Sequence, residues 1–162
     1  MQDAQTALEA QATAHIERAR RAAARIPDMA VDTPLRPIHR VAVIGAGTMG
    51  GGIAMALANI NVPVTLIDAD AVALERGLKR MRDNYASSVS RGKLLQAVMD
   101  ERMARITSSV TLADVAEVDL VIEAVFEDMA LKQSIFSQLD ALARPGAILA
   151  TNTSGLDVDQ IA

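Results

Sequence analysis

Five of the eight residues from Gly45 to Gly52 are glycines, and they stand between the apolar run VAVI and an alanine-rich run. Gly45, Gly47 and Gly50 have the spacing of a turn that leads from a strand into a helix and binds a pyrophosphate. In such a turn Gly45 allows the tight bend, Gly47 lets the phosphate approach the backbone, and Gly50 lets the helix pack close to the strand. We therefore expect a dinucleotide at the positive end of this helix; the alternative is a glycine-rich turn without a ligand.

An acidic residue, Asp68, follows the glycines at the spacing that a dinucleotide site requires. It lies eighteen residues after Gly50 and ends the apolar run PVTLID. A carboxylate at the end of the second strand accepts hydrogen bonds from the adenine ribose hydroxyls and repels a 2′-phosphate. Because Ala69 and Asp70 follow it and no arginine does, the sequence favours NAD over NADP. The alternative interpretation of Asp68 is an exposed strand end or a helix cap.

The elements that must position these residues alternate along the chain. Short apolar runs predict strands that are buried on both faces, and the segments between them have the composition of helices. Strands separated by helices pair in parallel through right-handed crossovers, so we expect an α/β fold with a Rossmann-type, doubly wound parallel sheet. The predicted strands are residues 41–45, 63–68, 105–109, 119–125 and 147–152, and the predicted helices are residues 49–60, 71–91, 94–105, 129–143 and 156–162.

Polar side chains follow two of the later predicted strands. The fourth strand ends in EAVFED, with Glu123 and Glu127, and the fifth ends in TNTSG, with Asn152 and Ser154. The carboxyl ends of parallel strands meet at one edge of the sheet, and ligands of open α/β sheets bind there. We therefore expect these side chains to share an edge with the glycine turn.

The N-terminal part of the chain has a different composition. Residues 1–37 are predicted to form a linker helix over residues 5–26 and a connector broken by Pro27, Pro34 and Pro37; residues 38–162 form the nucleotide-binding domain. The helix ends in the basic run ERARRAAAR, which suits the negative end of the helix dipole. We interpret that run as a solvated helix end and not as an arm that binds nucleic acid.

Composition limits the class of protein. The 162 residues carry a net charge of −4 and include no cysteine, which excludes disulfides and thiolate chemistry. We expect no nucleic acid as a partner, no membrane span and no metal site. The first thirty residues lack the apolar core of a secretory signal, so a cytoplasmic location is expected.

Three segments together resemble the NAD-binding half of the L-3-hydroxyacyl-CoA dehydrogenases: VAVIGAGTMGGGIA, DLVIEAVFEDMALKQSIFSQLD and PGAILATNTSGLDVDQIA. They are similar above all to the dehydrogenase part of the multifunctional fatty-acid β-oxidation proteins. In those proteins an enoyl-CoA hydratase/isomerase part precedes a linker helix that HIERARRAAARIP resembles, and SRGKL is typical of the same branch. The resemblance implies hydride transfer from (S)-3-hydroxyacyl-CoA to NAD.

The same resemblance implies which residues contact the cofactor. Met49 and the glycines beside it would contact the pyrophosphate. Val125, Phe126 and Glu127 would line the nicotinamide-ribose side, and Lys132 would form a hydrogen bond there. The alternatives are an exposed helix lysine for Lys132 and, for Glu127, a first-turn acid that the helix dipole favours.

On the substrate side, the resemblance implies that Asn152 and Ser154 lie beside the nicotinamide and the 3-hydroxyl of an acyl-CoA substrate. An amide and a hydroxyl can hold that oxygen while hydride leaves the carbon; no base is positioned to make Ser154 a nucleophile. Asn84 and Arg91, in and just after a basic helix, would contact the CoA moiety. The alternative is a solvated basic face.

The sequence departs from the family's pattern at its end. The family's catalytic histidine lies in an HFFNP-like strand after NTS, and the sequence ends at Ala162, before that strand. His15 and His39 match no catalytic position and are predicted to be surface residues. We therefore expect cofactor binding without appreciable turnover, and a sheet that is incomplete at its C-terminal edge and prone to self-association. The expected partners are the missing helical domain and hydratase/isomerase or thiolase parts.

Two other functions remain open from the residues alone. One is a non-catalytic NAD-binding or assembly module, with the N-terminal helix docking a partner. The other is a different β-hydroxyacid dehydrogenase on the same fold, because a fold does not determine its chemistry.

Overall fold

The computed structural model describes residues 2–30 and 32–162, and the side chains of residues 6–30 and 32–162. The chain divides into two compact units, with the boundary after Arg36. In the first unit, helix α1 extends over Gln2–Ala23, and its Leu8 and Ile16 are exposed. The helix stops before the predicted end at residue 26, and Pro27 disfavours helical backbone at Ile26, the last residue of the predicted helix.

The second unit alternates strands and helices as expected, and the ends of these elements lie within two residues of the predicted ends. A 3₁₀ helix, Leu112–Val115, was not predicted. In the described part of the chain, no helix has both the length and the apolar character needed to cross a bilayer. The elements are β1 Val41–Ile44, α2 Thr48–Asn59, β2 Val64–Ile67, α3 Ala71–Ser90, α4 Gln96–Ala104, β3 Ile106–Ser109, β4 Leu120–Glu123, α5 Met129–Leu142, β5 Ile148–Thr151 and α6 Val158–Ile161.

The described residues form one sheet of five parallel strands in the order β3-β2-β1-β4-β5. The central strand is β1, where Val41 stands opposite Val64 of β2 and Leu120 of β4. The chain moves outward from β1 through β2 to β3 and then returns to β4 on the other side of β1. The direction of winding therefore reverses between β1 and β4, and a ligand crevice opens beyond the strand ends at such a reversal. The predicted doubly wound fold is confirmed.

Alternate residues of β1 face two separate hydrophobic cores. Val43 packs in the core that includes Ala54 of α2, whereas Ala42 packs in the core that includes Leu139 of α5. All four residues of β1 are buried. This burial on both faces explains why the strand is a continuous apolar run and does not alternate between apolar and polar residues.

The buried carboxylate of Asp119 binds backbone and side-chain groups at the amino ends of the strands. It accepts hydrogen bonds from the backbone N–H groups of His39 at 2.6 Å and Arg40 at 2.8 Å, and it forms an ion pair with Arg144. The two backbone donors have the largest effect in lowering the pKa of Asp119 below its ordinary value. The residue thus joins the segment before β1, the start of β4 and the turn before β5, all at the edge opposite the glycine turn.

Two glycines bring helices close to the turn after β1. A Cβ on Gly50 of α2 would lie 1.8 Å from the carbonyl oxygen of Gly45, and a Cβ on Gly77 of α3 would lie 2.5 Å from that of Ala46. Gly45 itself has a φ of +102°, in the region that side chains rarely adopt. Both helices can therefore pack against the turn only because these positions carry no side chain.

This packing predicts opposite effects for two alanine substitutions in α2. Gly50→Ala places a methyl group against backbone, so we expect it to lower the free energy of unfolding by about 1–3 kcal/mol or more. At Gly52, apart from the chain neighbours and the nearby backbone of α2 itself, no described atom lies within 4 Å of the added methyl. Gly52→Ala should therefore stabilise the protein by up to about 1 kcal/mol, through helix propensity alone. Urea unfolding followed by circular dichroism measures both, and equal effects would contradict the close packing.

Candidate functional site

The turn after β1 is hydrogen-bonded to β2 and is exposed to solvent at Gly47. The Gly45 N–H donates to the Ile67 carbonyl oxygen at 2.7 Å, which ties the turn to β2. Gly47 is the N-cap of α2 and has no side chain to satisfy the first N–H groups of the helix. Apart from its two chain neighbours, no described residue has an atom within 4 Å of a Cβ placed on Gly47, and Met49 in the first helical turn is 57% exposed. The turn therefore has the shape and the donors to take a diphosphate.

Asp68 lies beside this turn and is held in one orientation. One carboxylate oxygen accepts from the Ala46 N–H at 2.8 Å, and the other accepts from the Asp70 N–H at 3.0 Å. A carboxylate oxygen can accept a second hydrogen bond, so both oxygens retain capacity for the two hydroxyls of a ribose. The helix-cap role weighed for Asp68 is filled by Asp70, which accepts from the Val72 N–H at 2.8 Å.

Helix α3 places the Arg80 guanidinium beside the glycine turn, and the sequence patterns do not predict this contact. The Arg80 guanidinium donates to the Thr48 hydroxyl at 3.1 Å, at the first residue of α2. The signal in the sequence is Gly77, a glycine inside a helix, because a position without a side chain lets α3 pack close to the turn. Asn84 and Arg91 lie farther along, about 20 and 30 Å from the start of α3 at 1.5 Å per residue. The structure therefore does not bring these two residues to the Asp68 edge.

A second cluster, which we name the Glu123 cluster, lies at the carboxyl ends of β4 and β5. Glu123 and Lys132 are both fully buried, and the Lys132 ammonium lies 2.8 and 2.9 Å from the two Glu123 oxygens. The Val125 N–H donates to the same carboxylate at 2.7 Å, and the Thr151 hydroxyl donates to it at 2.6 Å. Lys132 is therefore not the exposed helix lysine weighed as an alternative.

Glu127 extends this cluster to the loop after β5. One of its oxygens accepts from the Thr153 hydroxyl at 2.5 Å, the Ser154 N–H at 2.9 Å and the Gly155 N–H at 3.2 Å. Its other oxygen lies 3.4 Å from the Lys132 ammonium. These contacts, the Thr153 hydroxyl first, lower the pKa of Glu127 to about 2. Glu127 thus fixes the loop of residues 152–155 against the first turn of α5.

The remaining predicted site residues lie around this loop. Phe126 is 86% exposed, and Val125 is half-buried. The side chains of Asn152 and Ser154 are exposed, and the Asn152 N–H donates to the Glu123 carbonyl oxygen at 2.8 Å. The structure therefore gathers these four residues and Glu127 beyond β4 and β5, next to the reversal of winding.

Two residues of the Glu123 cluster were missing from the predicted contacts. The sequence pattern marks Glu123 only as a polar residue at a strand end, and it predicts no role for Thr151. The available signal was an acid closing an apolar strand with a lysine nine residues later in an amphipathic helix. His15 and His39, predicted to be surface residues, are both exposed.

The sequence profile of a known family spans this edge. The family is described as "3-hydroxyacyl-CoA dehydrogenase, NAD binding domain", and its profile matches residues 40–162. The chain belongs to this family. The predicted family, the Rossmann-type fold and NAD as the cofactor are thereby confirmed, and the family's enzymes are NAD-dependent oxidoreductases.

Individual members of the 3-hydroxyacyl-CoA dehydrogenase family are similar over most of the chain. The peroxisomal fatty acid beta-oxidation multifunctional protein AIM1 of Arabidopsis thaliana is 40% identical over 91% of this chain and 20% of its own length. The human peroxisomal bifunctional enzyme is 42% identical over 78% of this chain and 17% of its own length. The crystal structure of 3-hydroxybutyryl-CoA dehydrogenase from Escherichia coli superposes with a TM-score of 0.75 and 36% identity, over 78% of this chain and 27% of that one.

These relatives correct one expectation. The chain spans about a fifth of the length of the curated relatives, and those relatives are named as peroxisomal multifunctional or bifunctional proteins. The predicted cytoplasmic location is therefore wrong. Its basis was the absence of a secretory signal and of a membrane span, and neither feature distinguishes the cytoplasm from the peroxisome.

The Glu127 contacts predict a pKa change in a loop variant. Thr153→Val removes the hydroxyl with the largest effect, so we expect the pKa of Glu127 to rise from about 2 toward 4.5. Because the folded-state pKa is the lower one, the Glu127 contacts stabilise the loop above about pH 4.5 and are lost as the pH falls toward 2. Carbon-13 NMR of the glutamate carboxyl groups measures the midpoint.

Thr107→Val is the matched control for this titration, because its hydroxyl donates to the Val64 carbonyl oxygen on β2 and not to Glu127. We expect the Glu127 midpoint to be unchanged in that variant. An identical midpoint in Thr153→Val and in the unaltered chain would show that the Thr153 hydroxyl does not hold the carboxylate.

Proposed function

We propose that this chain forms the NAD-binding portion of an enzyme that oxidises (S)-3-hydroxyacyl-CoA to 3-ketoacyl-CoA. The observation that carries the proposal is the Asp68 carboxylate, held by the Ala46 N–H beside the open face of Gly47. That arrangement offers acceptors for a ribose diol and donors for a diphosphate at one edge of the sheet. Membership of the 3-hydroxyacyl-CoA dehydrogenase family supports the choice of substrate class.

The cofactor-binding roles follow the order of the sheet. Gly45, Gly47, Met49 and Gly50 form the diphosphate turn between β1 and α2. Asp68, at the end of β2, takes the adenine ribose, and its negative charge disfavours the 2′-phosphate of NADP.

The nicotinamide side lies past the reversal, beyond β4. Val125 and Phe126 supply an apolar surface there, and Phe126 stands out into solvent. The exposed Glu127 carboxylate accepts hydrogen bonds at the nicotinamide ribose, and the buried Lys132 acts on that ribose only through its contact with Glu127.

The substrate side is formed by the loop after β5. The Asn152 amide and the Ser154 hydroxyl hold the oxygen on C3 of the acyl group, and Glu127 holds the loop in place through the Ser154 and Gly155 N–H groups. When bound, NAD supplies the acceptor for the hydride that leaves C3. The hydroxyl proton passes to a general base contributed by another part of the enzyme.

Other parts of the enzyme complete the reaction in this proposal. A helical domain and hydratase/isomerase or thiolase parts are the proposed partners, in keeping with the multifunctional names of the relatives. The segment before Pro37 acts as the linker to a preceding part. Asn84 in α3 and Arg91 just after it contact the CoA moiety.

The cofactor assignment predicts a specific loss in Asp68→Asn. We expect the dissociation constant of NADH to rise about tenfold or more, since a hydrogen bond to a charged group contributes roughly 1.5–3 kcal/mol. We also expect the preference for NADH over NADPH to shrink, because the variant no longer repels the 2′-phosphate. Fluorescence titration with both dinucleotides measures the two constants.

The matched control is Asp70→Asn, two residues along the chain. The asparagine of this variant retains an acceptor for the Val72 N–H, and asparagine caps helices about as well as aspartate, so α3 is preserved. NADH binding should be unchanged in this control. An Asp68→Asn protein with the affinity and preference of the unaltered chain would overturn the cofactor assignment.

A further inference from the structure

Glu123 and Lys132 place two opposite charges in the interior of the domain, and the packing of the core does not explain why charged side chains lie there. Both side chains are fully buried, on β4 and α5 respectively. Replacing such a pair with well-packed neutral side chains is often neutral or stabilising, because desolvation offsets the attraction between the charges. A contribution to stability therefore does not by itself explain why this pair is present, and we look for another physical reason.

The contacts of the pair lead outward to the loop. The ammonium of Lys132 bridges the buried Glu123 carboxylate and the Glu127 carboxylate, and the Glu127 side chain is 41% exposed. Glu127 in turn accepts from the Ser154 and Gly155 N–H groups. A continuous set of polar contacts thus joins the interior to the loop of residues 152–155.

We propose that Glu123 is a positioning residue that holds the Lys132 ammonium where it fixes Glu127, and through Glu127 the loop of residues 152–155. The assignment of that loop to the nicotinamide and substrate rests on the proposed function. The positional link itself rests on the contacts alone. Without the Glu123 carboxylate, the buried Lys132 ammonium keeps Glu127 as its carboxylate partner but is no longer held at a fixed position, so it no longer fixes the orientation of Glu127.

Charge and packing can be separated by one double variant, Glu123→Gln/Lys132→Met. The introduced glutamine keeps an acceptor for the Val125 N–H and a group that can bond the Thr151 hydroxyl, and the introduced methionine keeps the buried apolar stem. The variant therefore keeps the core filled, and it removes the two buried charges together with the contact of the Lys132 ammonium with Glu127. We expect a urea midpoint close to that of the unaltered chain.

Two local measurements should change in this double variant. The Ser154 and Gly155 amide protons should exchange with solvent about tenfold faster, the effect of losing one charge-assisted contact, and the dissociation constant of NADH should rise by a similar factor. Adding Glu127→Gln to the double variant should cause no further loss beyond that of Glu127→Gln alone, because both act at the same point.

The outcomes distinguish the two proposals. Unchanged amide exchange and NADH affinity in the double variant would show that the pair only fills the core, and would overturn the positioning role. If the unaltered chain fails to bind NADH, the proposed function fails, but the amide exchange of Ser154 and Gly155 still tests the link from Glu123.

A second variant tests the link without altering the core. Glu127→Gln changes an exposed side chain and removes the charge of the second carboxylate beside the Lys132 ammonium. Because that ammonium also contacts Glu123, the carboxyl carbon resonance of Glu123 should shift. Asp128→Asn is the control: it keeps the acceptor for the Leu131 N–H at the start of α5 and should leave that resonance in place. An unmoved Glu123 resonance in Glu127→Gln would contradict the proposal even if the double variant did not fold.

Discussion

The edge of the sheet that carries the glycine turn depends on how closely α2 approaches the turn that follows β1. A side chain on Gly50 would overlap the carbonyl group of Gly45, so the helix lies at its observed distance only because that position is bare. The same approach directs the amino end of α2 into the crevice and leaves Gly47 open to it. Asp68 then joins β2 to the turn through the Ala46 N–H, so one packing constraint places both the donors and the acceptors of the proposed dinucleotide site.

The other half of the edge is organised by charge. Beyond β4 and β5, the buried pair of Glu123 and Lys132 meets the exposed Glu127, and Glu127 holds the loop that follows β5. A low-dielectric interior strengthens each of these contacts, provided that every polar group has a partner. Among the described residues, every buried side-chain nitrogen or oxygen has one. The two halves therefore differ in kind: backbone packing defines the turn after β1, and a polar network defines the loop after β5.

Sequence patterns predicted the order and type of nearly all elements, because buried parallel strands and their crossover helices leave strong local signals. They did not predict contacts between distant residues. Asp119 meets the backbone of His39 eighty residues away, and Arg80 reaches Thr48 across thirty-two. Such partners share no local pattern. The predicted cytoplasmic location was wrong because it was inferred from the absence of a secretory signal and of a membrane span, and not from a physical property of the chain.

The sequence by itself determined the fold class and the kind of cofactor. Strand burial on both faces, the glycine spacing and the acid after the second strand each act over a few neighbouring residues, so each can be read directly from the chain. Only the tertiary structure decided that Lys132 is buried and bridges two carboxylates, and that Glu127 holds the loop after β5. The reason is physical: which partner a charged side chain takes depends on the groups that surround it once the strands are paired, and those groups come from separate parts of the chain.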